Sequence, residues 1–152
     1  MIREMVVRPA GRSMLVRYSA QAMLSKLDEA ISKYASVLLQ RGFAATAHDE
    51  NVGYGYAERV FVLDHVLLKA VYERGLTYLE VGCAQDPGRL VEASGFRDLI
   101  DPPAQGRWNL GIGAAAFLDA HWERVYDLLR PLNWMQTREK IEALQRPLGS
   151  AD

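Results

Sequence analysis

Apolar and polar residues alternate with two different periods along this chain, and the changes of period mark its elements. Between Met23 and Leu39 the apolar positions recur at three- and four-residue spacing: Met23, Leu24, Leu27, Ile31, Tyr34, Leu38 and Leu39. Lys26, Asp28, Glu29 and Lys33 take the other side, so the pattern predicts an amphipathic helix that packs on a sheet. Ser19 is placed to cap it, and Arg41-Gly42 to end it with a basic last turn and a glycine stop.

A different pattern rules from Arg59 to Gly82. Two apolar, β-branched runs, Val66–Tyr72 and Leu76–Val81, flank the polar Glu73-Arg74-Gly75, which predicts a β-hairpin at the centre of a small core. Val60, Leu63, Leu67 and Val71 also sit near helical spacing, so residues 57–73 are open to either reading. Their valine content and the Glu-Arg-Gly turn favour strands. Upstream, Phe43–Ala47 reads as a short strand, His48-Asp49-Glu50-Asn51 as a turn, and Tyr54 lies between Gly53 and Gly55 in flexible backbone.

Past Gly82, Asp86-Pro87 has the composition of a helix start, giving a short helix over Gly88–Ser94 closed by Gly95. Residues 101–113, with two prolines and three glycines, read as a long irregular loop of the kind that is often functional. Two helices are predicted to finish the chain. The first spans about Ala115–Arg130, with Leu118, Trp122, Val125 and Leu129 as its stripe and Pro131 as its terminator. Asn133 caps the second, which presents Met135, Ile141 and Leu144 before Pro147 stops it.

The expected architecture is α+β: a small antiparallel sheet of about four strands, packed by an N-terminal helix and two C-terminal helices. Its 152 residues form one domain, with residues 1–18 as an N-terminal arm or edge strand and residues 147–152 as a disordered tail. The arginine-rich, acid-poor start is shared with transit peptides but has no continuous apolar region like that of a secretory signal.

Composition narrows the function by exclusion. No apolar run approaches the roughly 20 residues of a membrane span, and Asp64, His65 and Lys69 break the longest one. Cys83 is the only cysteine. It therefore forms no internal disulfide, suits a reducing, cytoplasmic setting, and reads as a small buried hydrophobe at a strand end. Charge is unevenly spread: residues 1–43 carry seven basic and three acidic side chains, residues 44–101 five and ten, and the remainder six of each. A basic head and an acidic middle can steer an oppositely charged protein. No basic stripe interleaves with aromatics, which disfavours nucleic acid.

Catalytic and metal chemistries find little footing. His48, Asp49 and Glu50, or Asp64 and His65, resemble ligand material, but neighbours on a strand point to opposite faces and no HxxxH or CxxC spacing is present. Neither a metal nor another cofactor is expected. Glu58, Asp64, Glu73 and Glu80 are candidate acids that no spacing pairs, so a solvated sheet face accounts for them. Gly111-Ile112-Gly113-Ala114 precedes a helix but lacks the phosphate-loop lysine.

Aromatics carry the remaining signal. Tyr54 and Tyr56 flank Gly55, and Trp108 follows Arg107 in the proline–glycine loop, the residue types that anchor protein interfaces. Trp122 and Trp134 read as core or core rim, with their indole N–H groups reaching partners.

The hairpin Tyr72-Glu73-Arg74-Gly75-Leu76-Thr77-Tyr78-Leu79-Glu80-Val81, with His121-Trp122 on one helix and Leu132-Asn133-Trp134 opening the next, resembles in general style the cytoplasmic immunity proteins of bacterial contact-dependent, polymorphic and type VI toxin systems. The resemblance covers about half the chain and transfers no site residue. It implies a non-catalytic protein that sterically occludes a toxin's active site. The partner would be a basic toxin domain, met by Asp49, Glu50, Tyr54, Tyr56, Arg107 and Trp108. The alternatives are a small hydrolase or transferase using Asp64, His65 and Glu80, and a small-molecule-binding or scaffold subunit with a pocket between sheet and helix.

Overall fold

The computed structural model describes residues 21–51, 55–101 and 112–145, the side chains of residues 47–51 and 112 excepted. The expected α+β architecture is present. Five antiparallel strands form a meander in simple order: β1 (Ala44–Asn51), β2 (Tyr56–Leu63), β3 (Val66–Glu73), β4 (Leu76–Cys83) and the two-residue β5 (Val91–Glu92). Helix α1 (residues 21–39) precedes them. Helices α2 (Ser94–Ile100), α3 (Ile112–Ala120), α4 (Trp122–Leu128) and α5 (Pro131–Leu144) follow.

The central hairpin forms as its sequence predicts. Glu73 pairs with Leu76 across the two-residue turn Arg74-Gly75, and both turn residues have positive φ, 52° and 90°. That left-handed geometry matches the twist of the flanking strands, and glycine supplies it without a Cβ penalty. Residues 57–73 are strand, with Asp64 at φ 53° turning β2 into β3.

The core lies between one sheet face and the helices. Ala57, Val66, Leu68, Ala70, Leu79 and Val81 meet Leu27, Leu38, Phe96, Leu118 and Val125 in one buried cluster. Cys83 joins them at the end of β4, as expected. Helix α1 buries Met23, Leu27, Ala35 and Leu38, whereas Tyr34 is exposed. The cause is a π-helical turn over Ile31–Ala35, which takes about one more residue per turn and so carries Ala35 rather than Tyr34 to the core face. An Arg59–Asp28 ion pair with both bonds at 2.9 Å fixes the helix against β2.

Several predicted elements are corrected. His48–Asn51 is not a turn: β1 continues through it, pairing with Tyr56–Arg59 beyond an irregularity at Thr46. Among the described residues the sheet has five strands, close to the expected four, the fifth being the two-residue β5. No helix covers Gly88–Ser94; the chain turns there, pairs Val91 with Val81, and enters α2 only at Ser94. Burial of Val91 and Ala93, and an Ala93 N–H bond to the Leu79 carbonyl at 2.9 Å, override the local Asp-Pro signal. The helix expected over Ala115–Arg130 is two, broken at His121 (φ −113°, ψ 30°).

Pro131 opens α5 instead of ending its predecessor, a position where its missing N–H costs nothing. Asn133 does not cap; its amide donates to the Asp127 carbonyl at 2.9 Å. The buried stripe of α5 is Trp134, Thr137 and Ile141, while Met135 and Leu144 are exposed. Trp122 is a half-buried rim residue, but the buried Trp134 Nε1–H finds no acceptor among the described residues. Ser19 and residues 1–18 and 147–152 lie outside the described residues.

Gly82 shows how tightly α5 meets the sheet. A Cβ there would lie 2.6 Å from Leu90 Cδ2 and 3.1 Å from Trp134 Cζ2. Gly82→Ala is therefore expected to cost about 1–3 kcal/mol in urea unfolding, as overpacking does elsewhere. An alanine variant as stable as the parent would show that Leu90 swings aside freely.

Candidate functional site: the open sheet face

Strand pairing puts directly opposed residues on one face. The face opposite the core carries four cross-strand rows: Tyr56–Glu73–Leu76, Glu58–Val71–Tyr78, Val60–Lys69–Glu80–Glu92 and Val62–Leu67–Gly82. Leu90 and Trp134 close over the Gly82 end. Among the described side chains, the rest gathers four carboxylates and two phenols around one ammonium.

These groups are organised rather than simply solvated. Lys69 Nζ lies 3.6 Å from Glu58 and 3.8 Å from Glu80, with side chains only 23%, 17% and 29% exposed respectively. Tyr78 donates to Glu73 at 2.7 Å, and Tyr56 donates to Glu58. Between Glu58 and Tyr78, Val71 is 1% exposed although it stands apart from the core cluster. Burial, then the hydrogen-bonded carboxylate, pushes both phenols well above the usual tyrosine range. Glu80 is also raised: burial is the largest cause, Lys69 opposes it, and the charges of Glu92, Glu58 and Glu73 add to it. The face thus holds more negative charge than its own lysine neutralises, and a cation entering it would relieve that excess.

Of the residues predicted to meet a partner, Tyr56 belongs to this face. Asp49 and Glu50 lie on β1, where the register sets Asp49 opposite Glu58 and Glu50 opposite Ala57. Tyr54, Arg107 and Trp108 fall outside the described residues. From the sequence, Lys69 and Tyr78 are left out of any site, and Glu58, Glu73 and Glu80 stand singly, as candidate acids that no spacing pairs, with Glu80 also in the catalytic alternative. Their signal was the repeated Tyr-x-Glu of Tyr56–Glu58 and Tyr78–Glu80, two apart and so on one face of each strand.

The proposed catalytic trio is not brought together. Asp64 accepts from the Tyr126 hydroxyl at 2.9 Å, and His65 Nε2 donates to the Tyr126 carbonyl at 2.7 Å. Both clamp the β2–β3 turn to α4, whereas Glu80 sits with Lys69 on the open face. Beside the clamp is a cleft of about 390 Å³ lined by Arg41, Trp122, Tyr126 and Arg130. Its guanidinium groups are already committed: Arg41 to Asp119 at 2.6 Å and over Trp122, Arg130 to Asp127 at 3.0 Å and over Tyr126.

The pocket expected between α1 and the sheet is a void of about 10 Å³ lined by Leu27, Ile31, Ala70 and Leu79, room for one water at most. Among the described residues no cluster of His, Cys, Asp and Glu could hold a metal ion, and no helix is long and apolar enough to cross a membrane. Comparison with protein-family models, curated proteins and solved structures finds no match.

Proposed function

We propose that this chain is a non-catalytic protein-binding protein whose open sheet face receives a basic protein surface, and that its role is that of an immunity protein occluding the active site of a cognate toxin. The observation that carries this reading is the charge imbalance of an organised face: among the described residues, Glu58, Glu73, Glu80 and Glu92 with two tyrosines surround Lys69 as its one cation. Carboxylates steer and pair a partner's cations, while half-buried tyrosines add rigid contact area at low entropic cost. The β-strands hold these groups before a partner arrives, so little ordering is needed on binding.

The test is co-expression with the product of an adjoining toxin gene. Glu92→Lys, at an exposed position on the edge strand, and Tyr56→Ala should each weaken the complex about tenfold or more while circular dichroism stays that of the parent. No complex with that product, or affinity indifferent to both substitutions, would overturn the reading.

A further inference from the structure

The two edges of the sheet differ in what they offer another chain. At one edge β5 is only two residues long, too short to template a strand. At the other, β1 runs for eight residues, Ala44–Asn51, and among the described residues no strand pairs with its outer side. Lysine and proline, two of the usual edge guards, are absent from it. Its irregularity at Thr46 leaves Ala47–Asn51 as a regular stretch of ordinary strand length.

Hairpin geometry decides which backbone groups of that stretch face outward. Along an antiparallel strand, successive residues turn their N–H and C=O groups to one neighbour and then to the other. Asp64-His65 is a two-residue turn, so Leu63 and Val66 form a hydrogen-bonded pair. In the same phase, the Arg74 N–H donates to the Gly55 carbonyl at 2.9 Å. Ala57, Arg59 and Phe61 therefore spend their backbone groups on β3. Tyr56 and Glu58 turn theirs to β1, toward Asn51 and Asp49. The Val60 carbonyl does likewise and accepts from the Thr46 hydroxyl at 3.4 Å. His48 and Glu50 alternate with these partners, so their N–H and C=O groups face outward.

Charge then selects the occupant. The register sets Asp49 in one row with Glu58. A second copy pairing in full along Ala47–Asn51 would centre its two-fold axis on Asp49 and set Asp49 against Asp49, a like-charge pair that destabilises. A strand with lysine or arginine at that position would lie about 4.8 Å from β1 and bring a cation to a row that holds two acids.

We propose that the outer edge of β1 takes up an extended segment of a basic protein as a further antiparallel strand, with backbone bonds to His48 and Glu50 and a cation opposite Asp49. This rests on the basic partner proposed above and adds the mode of docking. Alternate residues of the added strand would continue the rows of the open face.

The probe is an acetylated, amidated peptide of alternating threonine and lysine, added to the full chain at low salt. Without peptide, amide hydrogen exchange should be fast at His48 and Glu50 and slow at Asp49. Saturating peptide should slow His48 and Glu50 about tenfold or more. N-methylation of the threonines, whose N–H groups would face β1, should abolish the effect. N-methylation of the lysines, whose N–H groups would face away, should preserve it, and glutamate in place of lysine should abolish it. No slowing, equal or reversed effects of the two methylations, or slowing by the glutamate peptide overturns the proposal. So does slow exchange at His48 and Glu50 without peptide, which would mean an edge already filled: by a second copy if the slowing grows with concentration, by the chain itself if not. A toxin complex that weakens with Glu92→Lys and Tyr56→Ala yet leaves both amides fast counts against the strand docking alone. Peptide uptake without any toxin complex counts against the proposed function alone.

Discussion

Phe96→Ala is expected to lower the unfolding free energy by about 3–5 kcal/mol, the usual cost of emptying a buried aromatic site. In a chain of this length that corresponds to a fall in Tm of about 6–20 °C. Phe96 is the largest of the fully buried side chains, yet it comes from a helix of only seven residues. So short a helix is not stable by itself; α2 exists because Phe96 and its neighbours are buried. Gly95 makes that burial possible. A Cβ at this position would stand 2.5 Å from Ile141 Cγ2 and 3.1 Å from Gln145 Nε2, so the glycine lets α5 lie directly on α2. Phe96→Ala therefore opens a cavity and removes the main anchor of α2 together. Thermal and urea unfolding measure the loss, with Leu132→Ala, at an almost wholly exposed site, as a control expected to change little. A cost below about 1 kcal/mol would mean that α2 docks only loosely.

That same helix shows where the sequence was readable and where it was not. The central hairpin and α1 were legible because a local signal and the tertiary demand agree: β-branched runs around an Arg-Gly turn, and an apolar stripe with a glycine stop. Past Gly82 they disagree. Asp86-Pro87 starts helices elsewhere, but here Val91 and Ala93 are held by β4, so the helix begins at Ser94 rather than Gly88, six residues late. The polar run His48–Asn51 looked like a turn because nothing local shows that β2 pairs with it. The π-turn in α1 and the break at His121 likewise leave no composition signature.

The open face was hidden for a related reason. Glu58, Lys69 and Glu80 are far apart in sequence, and only the register of three strands makes them neighbours. Read singly, each is an ordinary polar residue on a solvated face. Tyr56 was picked for its place beside Gly55, and the structure gives it a different setting, bonded to Glu58 at the foot of the acidic face.

Lys69→Met should destabilise the protein by about 1–3 kcal/mol at pH 7.5. The range lies below that for breaking a fully buried pair, because these groups retain partial exposure and the contacts exceed 3.5 Å. Methionine keeps most of the aliphatic stem, so the loss reports the ammonium rather than packing. Its pH dependence has a definite sign. The folded-state value of Glu80 is raised, chiefly by burial and against the pull of Lys69. A carboxyl raised on folding contributes stability that is complete below its unfolded value, about 4, and is lost as pH climbs through the higher folded value. Removing Lys69 raises that folded value further, so the loss continues over a wider range of pH. The difference between variant and parent should thus be small near pH 4 and widen toward pH 7.5 in urea unfolding series. Lys69→Arg, which keeps the charge, should narrow it. A gap independent of pH would show that the charge of Lys69 does not hold the carboxylates. A gap that widens as described would show that the carboxylates of this face depend on a cation to stay ionised at low cost, the interaction an incoming arginine or lysine would extend.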